Sequence, residues 1–311
     1  MRTPNPPHRS PRHPGHPAVL VLAVIGLVGL PAVAGCESVV ITGQRATETR
    51  ELTLTAVTGS LVVVETFNGP VTVRAGAGDE VRATLEVTGW GGNRAAAEAD
   101  RANVTTTLEE EAGRVLLRAV YAPNPTSPGN RGASATVTVP AGSELDIGTS
   151  NGAVTVDGIG AAVRVVTSNG AVTVVGSSGD TVIATSNGEI RVTGATGTID
   201  ARSSNGRATV EASDAVVAVD TSSGEIRFSG SLAPGDSRLA TSNGAVQVTL
   251  PAGATFALDA STSNGRITVG FPITTSGAAS ETLVQGRIGD VPEVAIEIET
   301  SNGDVTVEPA R

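Results

Sequence analysis

TSNGAVTV at residues 149–156 and again at 167–174, TSNGEIRV at 185–192, SSNGRATV at 203–210 and TSSGEIRF at 221–228 are copies of one repeat, each starting 18 residues after the last. The spacing then loosens: TSNGAVQV starts at Thr241, TSNGRITV at Thr262 and TSNGDVTV at Thr300. The second position after each glycine reads Val154, Val172, Ile190, Ala208, Ile226, Val246, Ile267 and Val305. The fourth reads Val156, Val174, Val192, Val210, Phe228, Val248, Val269 and Val307. Between them stand Thr155, Thr173, Arg191, Thr209, Arg227, Gln247, Thr268 and Thr306. Apolar and polar residues alternating with period two predict a strand with one buried face. A second strand is expected after a turn such as Asp157-Gly158-Ile159-Gly160, with inward pairs Val163/Val165, Thr181/Ile183, Ile199/Ala201 and Val217/Val219. Each unit thus reads turn, strand, turn, strand.

Two architectures fit this reading. Asn-Gly favours the tight hairpins of an antiparallel meander, whereas a β-solenoid would stack each unit as one coil on the next. Stacking sets like on like about 4.8 Å apart, which explains why whole turns recur and not merely the alternation. Outward Glu189, Arg207 and Glu225 also alternate in sign at one position, as neighbours in a stack would. No proline occurs from Ala141 to Ala233, as interior strands require. The expectation is therefore an all-β fold, a β-solenoid of 18-residue coils. The pairs Asn151-Gly152, Asn169-Gly170, Asn187-Gly188, Asn205-Gly206, Asn243-Gly244, Asn264-Gly265 and Asn302-Gly303 are its structural turn residues.

Residues 51–140 are less regular and are expected to form an N-terminal cap for the repeats at 141–308. Within them Leu61–Val64 and Val71–Val73 read as strands, with Asn68-Gly69 as a degenerate copy of the turn. Asn93–Ala102, rich in alanine and charge, reads as a short helix, and Val115–Val120 and Ala135–Val139 as strands. Residues 270–293 form an excursion before the last strands.

The N-terminus has the organisation of a secretory leader. Arg2, Arg9 and Arg12 precede an apolar run from Ala18 to Leu30, and Pro31 breaks it. The ending Val33-Ala34-Gly35-Cys36 resembles the bacterial lipobox. That resemblance implies cleavage before Cys36, the only cysteine, and acylation of its thiol. The expected organisation is a leader at 1–35, a tether at 36–50 and one domain at 51–308. A tether of that length reaches at most about 50 Å.

All three histidines lie in the leader, and every basic residue of the chain is arginine. Of the 21 arginines three are in the leader and no acid is, so the mature net charge is 18 minus 31, or −13. An acidic chain without basic clusters argues against a nucleic-acid partner and against holding anionic lipid by charge alone.

The order of features in residues 50–308 is similar to that of the bacterial putative-adhesin domain, a family of unknown function expected to form β-solenoids. The residues carrying the likeness are the early strand–NG–strand unit, GDEVRATLEVTG at 78–89, the alanine-rich helix, ATVTVPAGSELDIGTSNG at 135–152, the SNG units and the closing VAIEIETSNGDVTV at 294–307. The resemblance implies a cell-envelope protein.

Catalytic patterns are weak. Gly148-Thr-Ser150-Asn-Gly152 matches the nucleophile elbow, which needs a following helix and a histidine base, and the mature chain offers neither. Gly76-Ala77-Gly78 opens no glycine-rich helix, so it does not suggest a phosphate site. Asp157, Asp180, Asp200, Asp214 and Asp220 are scattered, and Glu109-Glu110-Glu111 reads as a solvated turn, so no metal site is expected. Sugar-cleaving β-helices use clustered acids and aromatic platforms. Here only Trp90, Tyr121 and four phenylalanines exist, of which Phe228 and Phe256 are expected in the core. The row of Thr149, Thr167, Thr185, Ser203, Thr221 and Thr241 suggests an ice-binding ladder, but capping of turns by local hydrogen bonds explains it better. The expected function is a lipid-anchored, non-catalytic envelope scaffold without cofactor, binding an unknown envelope protein or glycan. A sensory component of an envelope-stress system is the alternative, and a polysaccharide-active enzyme a third.

Overall fold

Valine and isoleucine suit a pleated, half-buried surface because their branched Cβ packs against neighbouring strands. In the computed structural model the second and fourth positions after each repeat glycine are buried, except Val269, which is partly covered. The structure describes residues 43–56, 59–122, 131–276 and 279–311, all within one compact unit, Ile41–Arg311. The leader and Cys36 lie outside the described residues.

The fold is all-β and solenoid-like, with one short helix. Its repeats form two parallel ladders. In one, Val163–Asn169 pairs with Glu144–Asn151 on one side and Thr181–Thr185 on the other, so that Val165 lies between Ile147 and Ile183. In the other, Val174 lies between Val156 and Val192. Partners in the stack from Leu145 to Val219 are 18 residues apart along the chain, except Ala195 and Ala212 at a bulge, which are 17 apart. The long strands Ile190–Asn205 and Ala208–Ser223 run through the corner between the ladders and join them into one sheet. At that corner Gly158, Gly176 and Gly194 have φ of 72°, 68° and 66°, a left-handed bend that favours glycine. The inward pairs of the second strand are all buried, including Thr181, whose hydroxyl lies 2.8 Å from that of Ser177.

Stacking does not follow chain order at either end. The last strands, Val294–Asn302 and Val305–Pro309, lie between Gly235–Asn243/Val246–Leu250 and Phe256–Asn264/Ile267–Val269. At the other end Leu61–Glu65 and Val71–Gly76 lie between Arg114–Tyr121/Gly132–Pro140 and Glu144–Asn151/Val154–Asp157. The first and last parallel units are therefore paired on both sides. Antiparallel strands close the exposed edges: Glu80–Gly91 with Gln44–Thr55, Val104–Glu111 with Arg114–Tyr121, and Leu283–Ile288 with Phe256–Asn264. Such closure blunts edge-to-edge association.

The strand Gln44–Thr55 corrects the expected tether, whose residues 44–50 are paired along their length with Leu85–Gly91. Its sequence is mostly polar because it is an edge strand, with few residues turned to the core. Arg50 Nη1 fixes it by donating to the Val104 carbonyl at 2.8 Å.

The helix Arg94–Ala102 starts at Asn93, whose side chain accepts from the Ala96 N–H at 2.9 Å. Its backbone packs on the strand Glu80–Gly91 at Gly89 and Gly91, where a Cβ would stand 2.3 Å from Arg101 N and 2.4 Å from Ala97 N. Asp100, 3% exposed, accepts from the Trp90 N–H and the Tyr121 hydroxyl and pairs with Arg131 at 3.3 Å. Burial first, and then the bond to Asp100, raises the Tyr121 pKa. The Arg131 guanidinium stacks 3.9 Å from the Tyr121 ring centre. The spacing of these residues in the sequence gives no sign of this latch.

Candidate functional site

The Thr-Ser-Asn-Gly corner gives each of its four residues a separate task. Threonine, or Ser203 in one copy, turns inward and is buried in every repeat. The hydroxyls of Thr185, Ser203, Thr221, Thr241, Thr300 and Thr262 donate to the glycine carbonyl of the neighbouring corner at 2.9–3.2 Å. These bonds join one unit to the next rather than capping a turn locally, and they leave the row no exposed face to present to ice.

Asparagine builds a ladder along the corner. Each Nδ2 donates to the next Oδ1: Asn151 to Asn68, Asn169 to Asn151, Asn187 to Asn169 and Asn205 to Asn187, at 2.6–2.9 Å. Ser223 interrupts it, and Asn243 donates instead to the Ser222 carbonyl. The ladder resumes from Asn302 to Asn243 and from Asn264 to Asn302. The degenerate turn Asn68-Gly69 is thus its first rung.

Glycine is required by the stack and not by a hairpin turn. Gly152, Gly170, Gly188, Gly206, Gly244 and Gly265 all lie outside the left-handed region. A Cβ on any of them would stand 1.9–2.0 Å from the carbonyl oxygen of the glycine beside it. Only Gly69 and Gly303 of this row have positive φ, 146° and 155°.

Serine is the outward residue and occupies that place in all eight copies, from Ser150 to Ser263 at the end of the stack. Among the described residues none of these hydroxyls has a hydrogen-bond partner. The row from Ser168 to Ser263 forms one wall of a groove of about 760 Å³. Six strand spacings of about 4.8 Å make it about 29 Å long. The other wall carries Ala184, Arg202, Asp220, Arg238 and Glu299. Arg238 is its hub, pairing with Asp220 at 2.6 Å, with Glu297 at 3.4 Å and with Glu299. Burial pulls the Arg238 pKa down, but the bond it donates to Glu299 and the charges of Asp220, Glu299 and Glu297 outweigh it and leave it raised. The guanidinium is a fixed cation in a carboxylate cage, suited to holding shape and not to moving protons.

The other residues weighed from the sequence are not brought together. Ser150 lies at the end of the strand Glu144–Asn151, and another strand follows it. Asp157 faces Arg74, Asp200 pairs with Arg202, and Asp214 sits in a bend at φ 53°. Glu109–Glu111 lie exposed at the end of an antiparallel pair. Gly76 ends the strand Val71–Gly76. Cys36 lies outside the described residues. The groove could have been suspected from the fixed outward serine, but the alternation rule attends to inward residues and passes over it.

The profile of the Toastrack DUF4097 family matches residues 60–308. No curated protein matches the chain. Solved structures similar to it include a "putative lipid binding protein" from Parabacteroides distasonis ATCC 8503, at 15% identity over 84% of this chain and 97% of that one, TM-score 0.41. Another is a "putative adhesin" from Bacteroides fragilis NCTC 9343, at 9% identity over 84% and 97%, TM-score 0.37. A third is a "putative cell adhesion protein" from Clostridium sporogenes ATCC 15579, at 11% identity over 85% and 100%, TM-score 0.25.

Proposed function

The chain belongs to the Toastrack DUF4097 family, and from that premise we propose that it is an exported, lipid-anchored, non-catalytic scaffold whose serine groove binds another component of the cell envelope. Each 18-residue register step is one coil of the scaffold; two parallel units also stand before residue 141, and the antiparallel strands and helix beside them are the cap. The observation that carries the reading is the groove: parallel hydroxyls at strand spacing, fixed by the threonine, asparagine and glycine rows beneath them. Serines carried on a rigid backbone keep their spacing, and a short side chain with one rotatable bond to the hydroxyl-bearing carbon loses little entropy on binding an extended polar ligand. The leader and Cys36 support export and acylation.

Two experiments test the two halves. Cys36→Ser should leave the protein out of the detergent phase in phase partitioning; a mature variant still in that phase would refute acylation. Photo-cross-linkers placed at Ser204 and Ser242 in living cells should capture one common adduct. One at Thr209, on the outer face of the other ladder, should not. Equal capture from all three positions would sink the groove as the binding site.

A further inference from the structure

We infer that the tip of the domain formed by Gly43–Ala46 and Gly89–Arg94 rests in the phospholipid headgroup layer of the membrane that anchors the chain; the inference depends on the acylation of Cys36 proposed above. Seven residues lead from Cys36 to Gly43, so at about 3.4 Å each the start of the domain lies within about 24 Å of the anchored residue. The polar layer of a bilayer is itself roughly 5–8 Å deep on each side. One end of the domain is therefore held within about 24 Å of the anchored residue, close enough to reach the headgroup layer.

The chemistry of that end suits the place. Arg45 lies opposite Trp90 in the antiparallel pair, and a Cβ on Gly43 would stand 3.4 Å from the indole ring. Trp90 is partly exposed, and Arg45 and Arg94 are 53% and 83% exposed. Their carboxylate partners, Glu86 at 3.0 Å and Glu98 at 2.8 Å, come from outside the tip, which holds two arginines and no acid. The mature chain as a whole carries −13, that is 18 minus 31, so an anionic leaflet repels the body of the domain and favours this end. Indole rings settle at the headgroup level, and guanidinium groups pair with phosphate in a bidentate fork. The acyl chains supply the attachment, and the tip sets which end of the domain meets the lipid.

Trp90 is the only tryptophan, so its fluorescence reports the tip alone. The full-length protein, processed by its host and extracted in detergent, is reconstituted into phosphatidylethanolamine–phosphatidylglycerol vesicles with bromine placed shallow or deep in the acyl chains. Flotation reports the anchor and Trp90 emission reports the tip. The expected result is a floating protein whose emission lies to the blue of secreted Cys36→Ser protein, with shallow bromines quenching more than deep ones. Arg45→Gln with Arg94→Gln should still float but lose part of that quenching. A protein that floats while its emission and quenching match the Cys36→Ser protein overturns the inference and leaves the anchor standing. A protein that does not float overturns the anchor, and the inference with it.

Discussion

Gly188→Ala should destabilise the domain strongly, although its backbone angles are ones that alanine adopts freely. At such positions Gly→Ala ordinarily stabilises by about 0.4–1 kcal/mol, because alanine has less freedom to lose. Here the new Cβ would meet the Gly170 carbonyl oxygen at 1.9 Å, where ordinary van der Waals contact begins near 3.4 Å. The two corners must separate by well over about 1 Å, against a strand spacing of about 4.8 Å. Two side-chain bonds lie in that gap: Thr185 to Gly170 at 3.2 Å and Asn187 to Asn169 at 2.8 Å. At about 0.5–1.5 kcal/mol each they sum to about 1–3 kcal/mol. In a domain of this size that lowers Tm by roughly 2–12 °C. Gly148→Ala is the control, because a Cβ there meets nothing within 4 Å. Both variants would be melted by circular dichroism in the secreted Cys36→Ser background. Equal melting of the two would show that the glycine row answers to something other than the close approach of stacked corners.

Three further outcomes follow from the same geometry. Val174→Asp buries an unpaired charge between Val156 and Val192 and should cost several kcal/mol, whereas Thr173→Asp, facing outward, should cost under about 1 kcal/mol; equal shifts in a thermal melt would contradict the assigned faces. Ser223→Asn should restore the missing rung between Asn205 and Asn243 and raise stability by about 1 kcal/mol, and a denaturant midpoint that falls would count against the ladder as a stabilising device. Deleting Thr167–Ala184 should bring Val156 against Val192 and keep a cooperative melt, as nearest-neighbour stacking implies. Deleting only Thr167–Ile183 shifts side chains to the opposite face and should melt clearly lower; similar melts would argue that turns absorb the slip.

The period-two alternation determined by itself which side chains fill the core, and the recurrence of whole turns every 18 residues favoured stacked coils over a meander; the parallel pairing was decided by the structure. The first two follow from local rules: alternate side chains point to opposite faces, and identical units present identical edges. The helix from Arg94 was legible for the same reason, since Asn93 and the alanines after it are local signals. The polar strand from Gln44 was not, because an edge strand buries too little to show an apolar alternation. The cluster of Asp100, Tyr121 and Arg131 joins segments distant along the chain, and no spacing announces such a contact.

The order of the coils was decided only in three dimensions. The copies beginning at Thr241, Thr262 and Thr300 carry the same corner residues and inward residues of one branched apolar kind, so each offers its neighbours a similar edge and the pattern does not choose among them. The tertiary structure places the last of them between the other two. The strand Leu283–Ile288, folded back antiparallel on Phe256–Asn264, then closes the outer edge. Local likeness makes the strands interchangeable, and the long excursion between Gly270 and Glu293 determines where each one goes.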